Sequence, residues 1–336
     1  MKLQKVLYFL ALCSALGAQE VSREQIAQEL VTAQRDFQTA QEMFIPWYTG
    51  PLITGSATNV PKGKVNLQPY LFSTITYAEF SNSRSSDSIP NIYTLNPQFL
   101  FQAGFTTWLD FTLIAQGFFN WSEGHSAQHF GDTSTQFGFQ LVTEKEYIPA
   151  MRLIIGENYP TGHYDSLTEA KASVQSTGAG IYATTIGFNI SKLFWWEALH
   201  PIRMRLSTQY VIPNTDAHVS GFNAYGGGHG TRGRVDVGQT LNVDYGIEIS
   251  LTEKWVFATD LAYTYSQKST FSGTRGTLDG APAVTGGPSS DNLSIAPAIE
   301  YNPDDTGGFI GGFWLPLTGR NSSNFISLVL SYTKLF

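Results

Sequence analysis

The residues best suited to metal binding or acid–base chemistry are six histidines: His125, His129, His163, His200, His218 and His229. His125 and His129 are four apart, the spacing that puts two ligands on one helix face, but "GHSAQHFGDTS" has no helical pattern. All six read as loop or turn residues. His163 stands near Ser166 in "PTGHYDS", a pair that a membrane-embedded lipid hydrolase could use as base and nucleophile. The glycine-rich "GGGHGTRGR" (226–234) lacks the strand–loop–helix context and the Lys-Ser/Thr of a phosphate-binding loop. It reads as a flexible external loop whose Arg232 and Arg234 could meet lipopolysaccharide phosphates. "NPDDTGG" (302–308) has the composition of a calcium loop but reads as a turn. There is no His-Glu-x-x-His motif and no Gly-x-Ser-x-Gly elbow. The expectation is a protein without catalysis and without a cofactor.

More informative chemistry comes from charges that recur on one parity of alternating segments. Asp110, Arg203, Arg205, Asp236, Asp244, Glu248, Asp260 and Glu300 all fall on the polar side of such segments. Charges collected on one face of a sheet have two uses. They can pair with one another and stiffen a wall, or they can form a constriction that selects solutes. Arg203 and Arg205 are expected near Glu248 and Asp244, with Asp260 beyond.

Those segments dominate the chain from Val65 onward. In "VDVGQTLNVDYGIEISL" (235–251), Val235, Val237, Leu241, Val243, Tyr245, Ile247, Ile249 and Leu251 alternate with polar or small residues. Strands of this length exceed the usual five or six residues of a soluble sheet and suit a tilted membrane crossing of about 9–11 residues. Twelve segments of this kind can be traced, approximately 65–78, 92–104, 108–121, 134–143, 150–158, 179–191, 201–212, 235–251, 255–267, 292–302, 308–318 and 324–336. Longer connections alternate with short turns. An even strand count with that alternation describes an outer-membrane barrel with both termini on the short-turn, periplasmic side. In lipid a closed sheet is the only β solution, because every N–H and C=O must be paired internally. The fold class is therefore all-β: a transmembrane antiparallel barrel of about twelve strands at 65–336, preceded by an α-helix.

Composition agrees. The 336 residues are 14% charged, 14% aromatic and 42% hydrophobic, with a mean hydropathy of −0.11. So low a charged fraction is unusual for a soluble domain. "MKLQKVLYFLALCSALGAQE" has Lys2 and Lys5, an apolar run and then small residues, the layout of a secretory signal peptide over 1–18. The alternative is a lipoprotein signal ending at Cys13. Without Lys2 and Lys5, 18 basic residues face 27 acidic ones, and nothing points to nucleic acid. Cys13 is the only cysteine, so disulfides are excluded.

Residues 19–64 read as a periplasmic or plug unit. Ser22 to Met43 carries Ile26, Leu30, Ala33, Phe37 and Ala40 at helical spacing, and Ser22 with Gln25 forms a capping box. Phe44 to Lys64 is rich in proline and glycine and reads as linker. A twelve-stranded lumen lies between self-filled and open barrels, so this unit can enter it or hang in the periplasm.

The stretches "PWYTGPLITGSATNVPKGKVNLQPYLF" (46–72), "GDTSTQFGFQL" (131–141) and "YPTGHYD" (159–165) resemble the outer-membrane putative transporters grouped as the MetA pathway of phenol degradation. These are similar in layout to long-chain fatty-acid transporter barrels. The resemblance implies passage of small compounds, hydrophobic ones among them, and supplies no site residues. The ending "ISLVLSYTKLF" (326–336) resembles the signature read by the barrel-assembly machinery, with Tyr332 and Phe336 as its aromatic positions and Lys334 as a departure. The expected function is an outer-membrane channel or transporter for a small-molecule solute, with outer-membrane lipid and lipopolysaccharide around it. The alternatives are a surface structural or adhesive barrel and a lipid hydrolase.

Overall fold

A computed structural model of the chain describes residues 22–43, 50–195 and 200–336. The signal peptide and Cys13 lie outside the described residues. The barrel is closed and antiparallel, with twelve strands. They are β1 (Val65–Phe80), β2 (Ser86–Gly104), β3 (Leu109–Ser122), β5 (Thr133–Val142), β6 (Ala150–Tyr159), β7 (Ala183–Phe194), β8 (Ile202–Pro213), β11 (Thr240–Ser250), β12 (Trp255–Ser266), β16 (Ser290–Asp304), β17 (Gly307–Arg320) and β18 (Ser322–Leu335). The short β4 (His125–Phe130) folds back on β3. β1 closes the sheet against β18, from Asn66 opposite Leu335 to Phe80 opposite Ser322. At the seam Val65 and Phe336 exchange backbone hydrogen bonds of 3.2 and 2.8 Å.

Alternation sorts the side chains. Phe99, Phe137, Ile155, Ile186, Leu261, Ile299, Phe313 and Leu330 point outward and are exposed, a continuous apolar belt that only a hydrocarbon phase covers. Tyr77, Tyr93 and Trp121 stand exposed toward the long-loop end and Trp255 toward the other. Inward positions are polar and buried, among them Asn66, Asp110, Arg152, Asn189, Glu248, Asp260 and Ser331.

Several connections differ from the reading of the sequence. Residues 79–91 are largely strand, because β1 and β2 continue beyond the barrel to a tight turn at 81–85. The segment 235–251 divides: its first residues end β10 (Gly226–Asp236) and the rest is β11. "GGGHGTRGR" is not a flexible loop but the body of β10. It is the central strand of an outer sheet with β9 (Ala217–Asn223), β13 (Thr270–Thr274), β14 (Thr277–Leu278) and β15 (Ala281–Pro282). Its glycines allow this: Gly226, Gly227 and Gly230 have positive φ, and at Gly228 a Cβ would strike the Thr277 carbonyl. Val235 on one face of β10 packs with Ile181, Ala217 and Val219, leaving Arg232 and Arg234 exposed on the other. His125, His129, His218 and His229 accordingly lie on strands rather than loops.

The helix, α1 (Arg23–Met43), begins at the expected capping box: Ser22 N–H donates to Gln25 Oε1 at 2.9 Å, and Gln25 N–H to Ser22 Oγ at 3.1 Å. It lies against the short-turn rim, outside the lumen. Phe37 packs on the buried pair Leu193 and Val256, with Lys192 Nζ 4.7 Å above its ring.

Candidate functional site

The stretch read as linker, not the helix, fills the lumen. Inward alanines of β12 and β16 (Ala258, Ala296, Ala298), with Ile310 and Val329, leave a shallow apolar socket, and Leu52 is buried in it. Burying one leucine contributes about 1.5–3 kcal/mol. Gly246 provides room beside it, since a Cβ there would meet Pro51 and Thr54.

From Leu52 the segment crosses the barrel by hydrogen bonds to successive strands. On β12, Asp260 accepts from the backbone N–H of Ile53 (3.2 Å) and Thr54 (3.0 Å) and from the Thr54 hydroxyl (2.5 Å). On β7, Asn189 Nδ2 donates to the Ser56 carbonyl at 2.8 Å. On β5, Gln140 donates to the Ala57 carbonyl (2.9 Å) and accepts from Asn59 N–H (2.8 Å). On β3, Asp110 Oδ2 accepts from Val60 N–H at 3.0 Å. The chain then leaves the lumen beside Gly104, exchanging bonds through Gly63 N–H and the Lys64 carbonyl, and enters β1. An extended segment cannot satisfy its own backbone groups, so wall side chains supply the partners that buried amides need.

The expected luminal charges mostly form this scaffold. Asp110 pairs with Arg152 at 2.6 Å, both buried, and a Cβ at Gly138 would fall onto that pair. Arg205 meets Glu248 through two bonds, Nε–Oε2 at 2.5 Å and Nη2–Oε1 at 3.0 Å, the bidentate geometry that guanidinium and carboxylate favour. Glu300 is fully buried and, with Asp260, lies within electrostatic reach of Arg205. Asp244 is buried on the same face of β11, near Asp260.

Arg203 is buried and stands opposite Glu248 in register, as expected, and its guanidinium also pairs with Glu144 at 3.0 Å, a partner that the sequence did not indicate. One placement differs from expectation. Asp236 does not line the lumen: it ends β10, exposed, opposite Thr270 of the outer sheet. Gln239 is the single polar residue on the apolar parity of 235–251, a faint mark of the point where the chain leaves one sheet for another.

Arg152, Gln140, Asn189 and Thr54 were missed by the sequence reading. Even parity on β6 would have found Arg152. The small inward residues Gly138, Gly246, Ala258, Ala296 and Ala298 were the signal that a guest segment had to fit. Tyr332 and Phe336 face outward at the seam end, with Tyr332 against Phe309 at 4.6 Å between ring centroids. His163 and Ser166 are not brought together as a catalytic pair. The Ser166 hydroxyl bonds to Asp165 and Ser220, and the His163 ring stacks on His129 at 4.5 Å.

At the long-loop end, Val174 in the connection after β6 is fully buried, and its carbonyl accepts from Asn120 of β3 at 2.8 Å. The connection thus reaches in at the mouth, and the outer sheet is tied to it where Leu167 N–H donates to the Phe222 carbonyl at 2.8 Å.

No family model and no curated protein matches this sequence. Among solved structures, the fold is similar to an outer membrane channel from Pseudomonas putida F1, with 12% identity, 84% of this chain and 98% of that chain covered, and a TM-score of 0.62. More distant are the CymD monoaromatic hydrocarbon channel (10% identity, 82% and 89% covered, TM-score 0.39) and the Pseudomonas putida toluene transporter TodX (11%, 87% and 96%, TM-score 0.37). At these identities the likeness to the first structure is one of fold: a membrane-type β-barrel of nearly the same extent.

Proposed function

We propose that this protein is a bacterial outer-membrane channel for small molecules, exported by its N-terminal leader and held at rest by residues 50–60. The carrying observation is a closed, polar-lined lumen crossed by one extended segment that binds the wall through side chains of β3, β5, β7 and β12. A barrel serving only as an anchor has no need of such a removable crosspiece. The paired charges Arg152–Asp110 and Arg205–Glu248 stiffen the wall and seat the segment, rather than offering an unpaired constriction. The fold likeness to an outer membrane channel supports the same reading. So does the resemblance of 46–72, 131–141 and 159–165 to the putative transporters of the MetA group. Outer-membrane lipid would surround the belt, and the Tyr332–Phe336 end would be read by the barrel-assembly machinery.

Planar-bilayer recording tests this reading. We expect small conductance from the full chain and larger conductance from a variant lacking 50–60. Silence from both would sink the channel reading. A surface-adhesive role is favoured by one observation, the folded sheet of β9, β10 and β13–β15 at the long-loop end. Deleting 217–236 together with 267–287 would then abolish surface binding while leaving conductance intact.

A further inference from the structure

The outer sheet continues the barrel wall. β9 follows β8, β10 leads into β11 and β13 follows β12, and the order β9–β10–β13 repeats the wall order β8–β11–β12. One face of this extension is covered: Ala217, Val219 and Val235 pack with Tyr164, Ala179 and Ile181 of the connection that reaches in at the mouth. The other face therefore looks away from the mouth. Arg232 and Arg234 stand on it, exposed, two residues apart on the middle strand. Arg232 lies between Ser220 and Thr274 in register, and Arg234 between His218 and Ser272. Neither guanidinium forms a hydrogen bond or ion pair among the described residues. Asp165, next to Ser220, is taken by the Ser220 N–H and hydroxyl at 2.5 and 3.1 Å.

Below the arginines the three strands break at 214–216, 237–239 and 267–269. The break opens a polar cleft of about 580 Å³, lined by Asn214, Gln239, Gln267 and Lys268 and by the carboxylates of Asp216 and Asp236. Its height is marked by the wall. Tyr210 and Tyr265 flank Leu241 in the outward row nearest the break, and the Tyr210 hydroxyl donates to Gln239. Outward tyrosines mark the boundary between hydrocarbon and headgroups, so cleft and arginines stand in the layer of phosphates and first sugars.

We propose that this face holds lipopolysaccharide of the surrounding outer leaflet, with a core phosphate on Arg232 and Arg234 and a core sugar in the cleft. The inference rests on the outer-membrane placement and is independent of conduction. Guanidinium forks take phosphate oxygens in bidentate fashion, and Ser272, Thr274 and His218 add donors beside them. The amides and the lysine of the cleft suit sugar hydroxyls. Asp216 and Asp236 repel anionic groups there, which directs the phosphate to the arginines.

The test uses the full chain in detergent, with bound adducts counted by native mass spectrometry. The probes are lipopolysaccharide with a phosphorylated core, the same lipopolysaccharide stripped of its core phosphates, inorganic phosphate and a heparin hexasaccharide. The phosphorylated form should bind about tenfold more tightly than the stripped one, and more tightly than phosphate or heparin. Arg232→Gln/Arg234→Gln should weaken it about tenfold, the equivalent of about 1.4 kcal/mol, and flatten its salt dependence. Heat-modifiability and conductance of that variant should match the parent. Gln267→Ala/Lys268→Ala should weaken binding several-fold. Unaltered affinity in the arginine variant, or equal binding of the two lipopolysaccharides, overturns the proposal. Phosphate bound as tightly as lipopolysaccharide, or heparin bound more tightly, overturns lipopolysaccharide as the occupant. Silent bilayers with and without 50–60 overturn the channel reading and leave this face as it stands.

Discussion

Asp260 and Thr54 are 206 residues apart in the chain, yet the Asp260 carboxylate takes both the backbone N–H and the hydroxyl of Thr54, at 3.0 and 2.5 Å. With the Ile53 N–H at 3.2 Å, one wall residue holds three donors of the luminal segment. Hydrogen bonds to a charged group contribute about 1.5–3 kcal/mol each, so this is the strongest single seat of the segment.

Asp260→Ala should therefore free the Leu52 end of the segment. In single-channel recording we expect frequent openings to a higher conductance level, with Thr54→Ala showing a weaker form of the same change. An unaltered trace for Asp260→Ala would mean that Leu52 and Asp110 hold the segment without it.

Helix and luminal segment should separate in function. Removing 23–43 takes away a helix that packs on the rim, so conductance should stay near that of the full chain. Removing 50–60 clears the lumen, and conductance should rise several-fold. Equal rises from both deletions would show that the helix anchors the segment.

Leu261 faces outward, with Tyr245 and Ile295 opposite it on the neighbouring strands. A lysine or arginine at the bilayer midplane costs about 2–4 kcal/mol. Leu261→Arg should lower unfolding stability in vesicles by that amount, measured by urea titration of tryptophan fluorescence. Leu241→Lys and Val243→Lys should also impair assembly. A wild-type titration curve for Leu261→Arg would place this side chain away from lipid.

Glu248→Ala breaks a buried bidentate pair. Removing one partner of such a pair costs about 3–5 kcal/mol, and the presence of Glu300 and Asp260 near Arg205 puts the expected loss at the lower end. Heat-modifiability on gels would show the folded band lost at lower temperature. Adding Arg205→Met should not restore that stability, because the buried Glu300 and Asp260 then lose the guanidinium near them.

Deleting Phe336 removes two backbone bonds at the seam and the terminal aromatic of the proposed assembly signal. Folding in detergent should survive, because the rest of β18 still pairs with β1. Assembly in cells should slow. Normal assembly in cells would reject the signal at this end.

Strand positions and the sorting of side chains were legible in the sequence because alternation is a local property. Each crossing must present an apolar row to lipid and a smaller, more polar row inward, whatever the other strands do. Asp110, Arg205, Glu248, Asp260 and Glu300 were recognisable as inward for that reason alone. Arg205 was likewise recognisable as a neighbour of Glu248. The pairings of Asp110 with Arg152 and of Arg203 with Glu144 were not, and Asp236 belongs to a second sheet, because one polar residue on the apolar parity, Gln239, is too small a mark to end a strand.

The role of residues 50–60 was decided only by the tertiary structure. By itself the sequence showed a proline- and glycine-rich stretch with no periodicity, which is what a linker looks like. An extended segment inside a barrel has no pattern of its own, since its geometry comes from its hosts: Gly246 and the alanines that make room, and Asp260, Asn189, Gln140 and Asp110 that complete its backbone bonds. Those hosts are scattered over β3 to β16, and only closure of the sheet brings them to face one another.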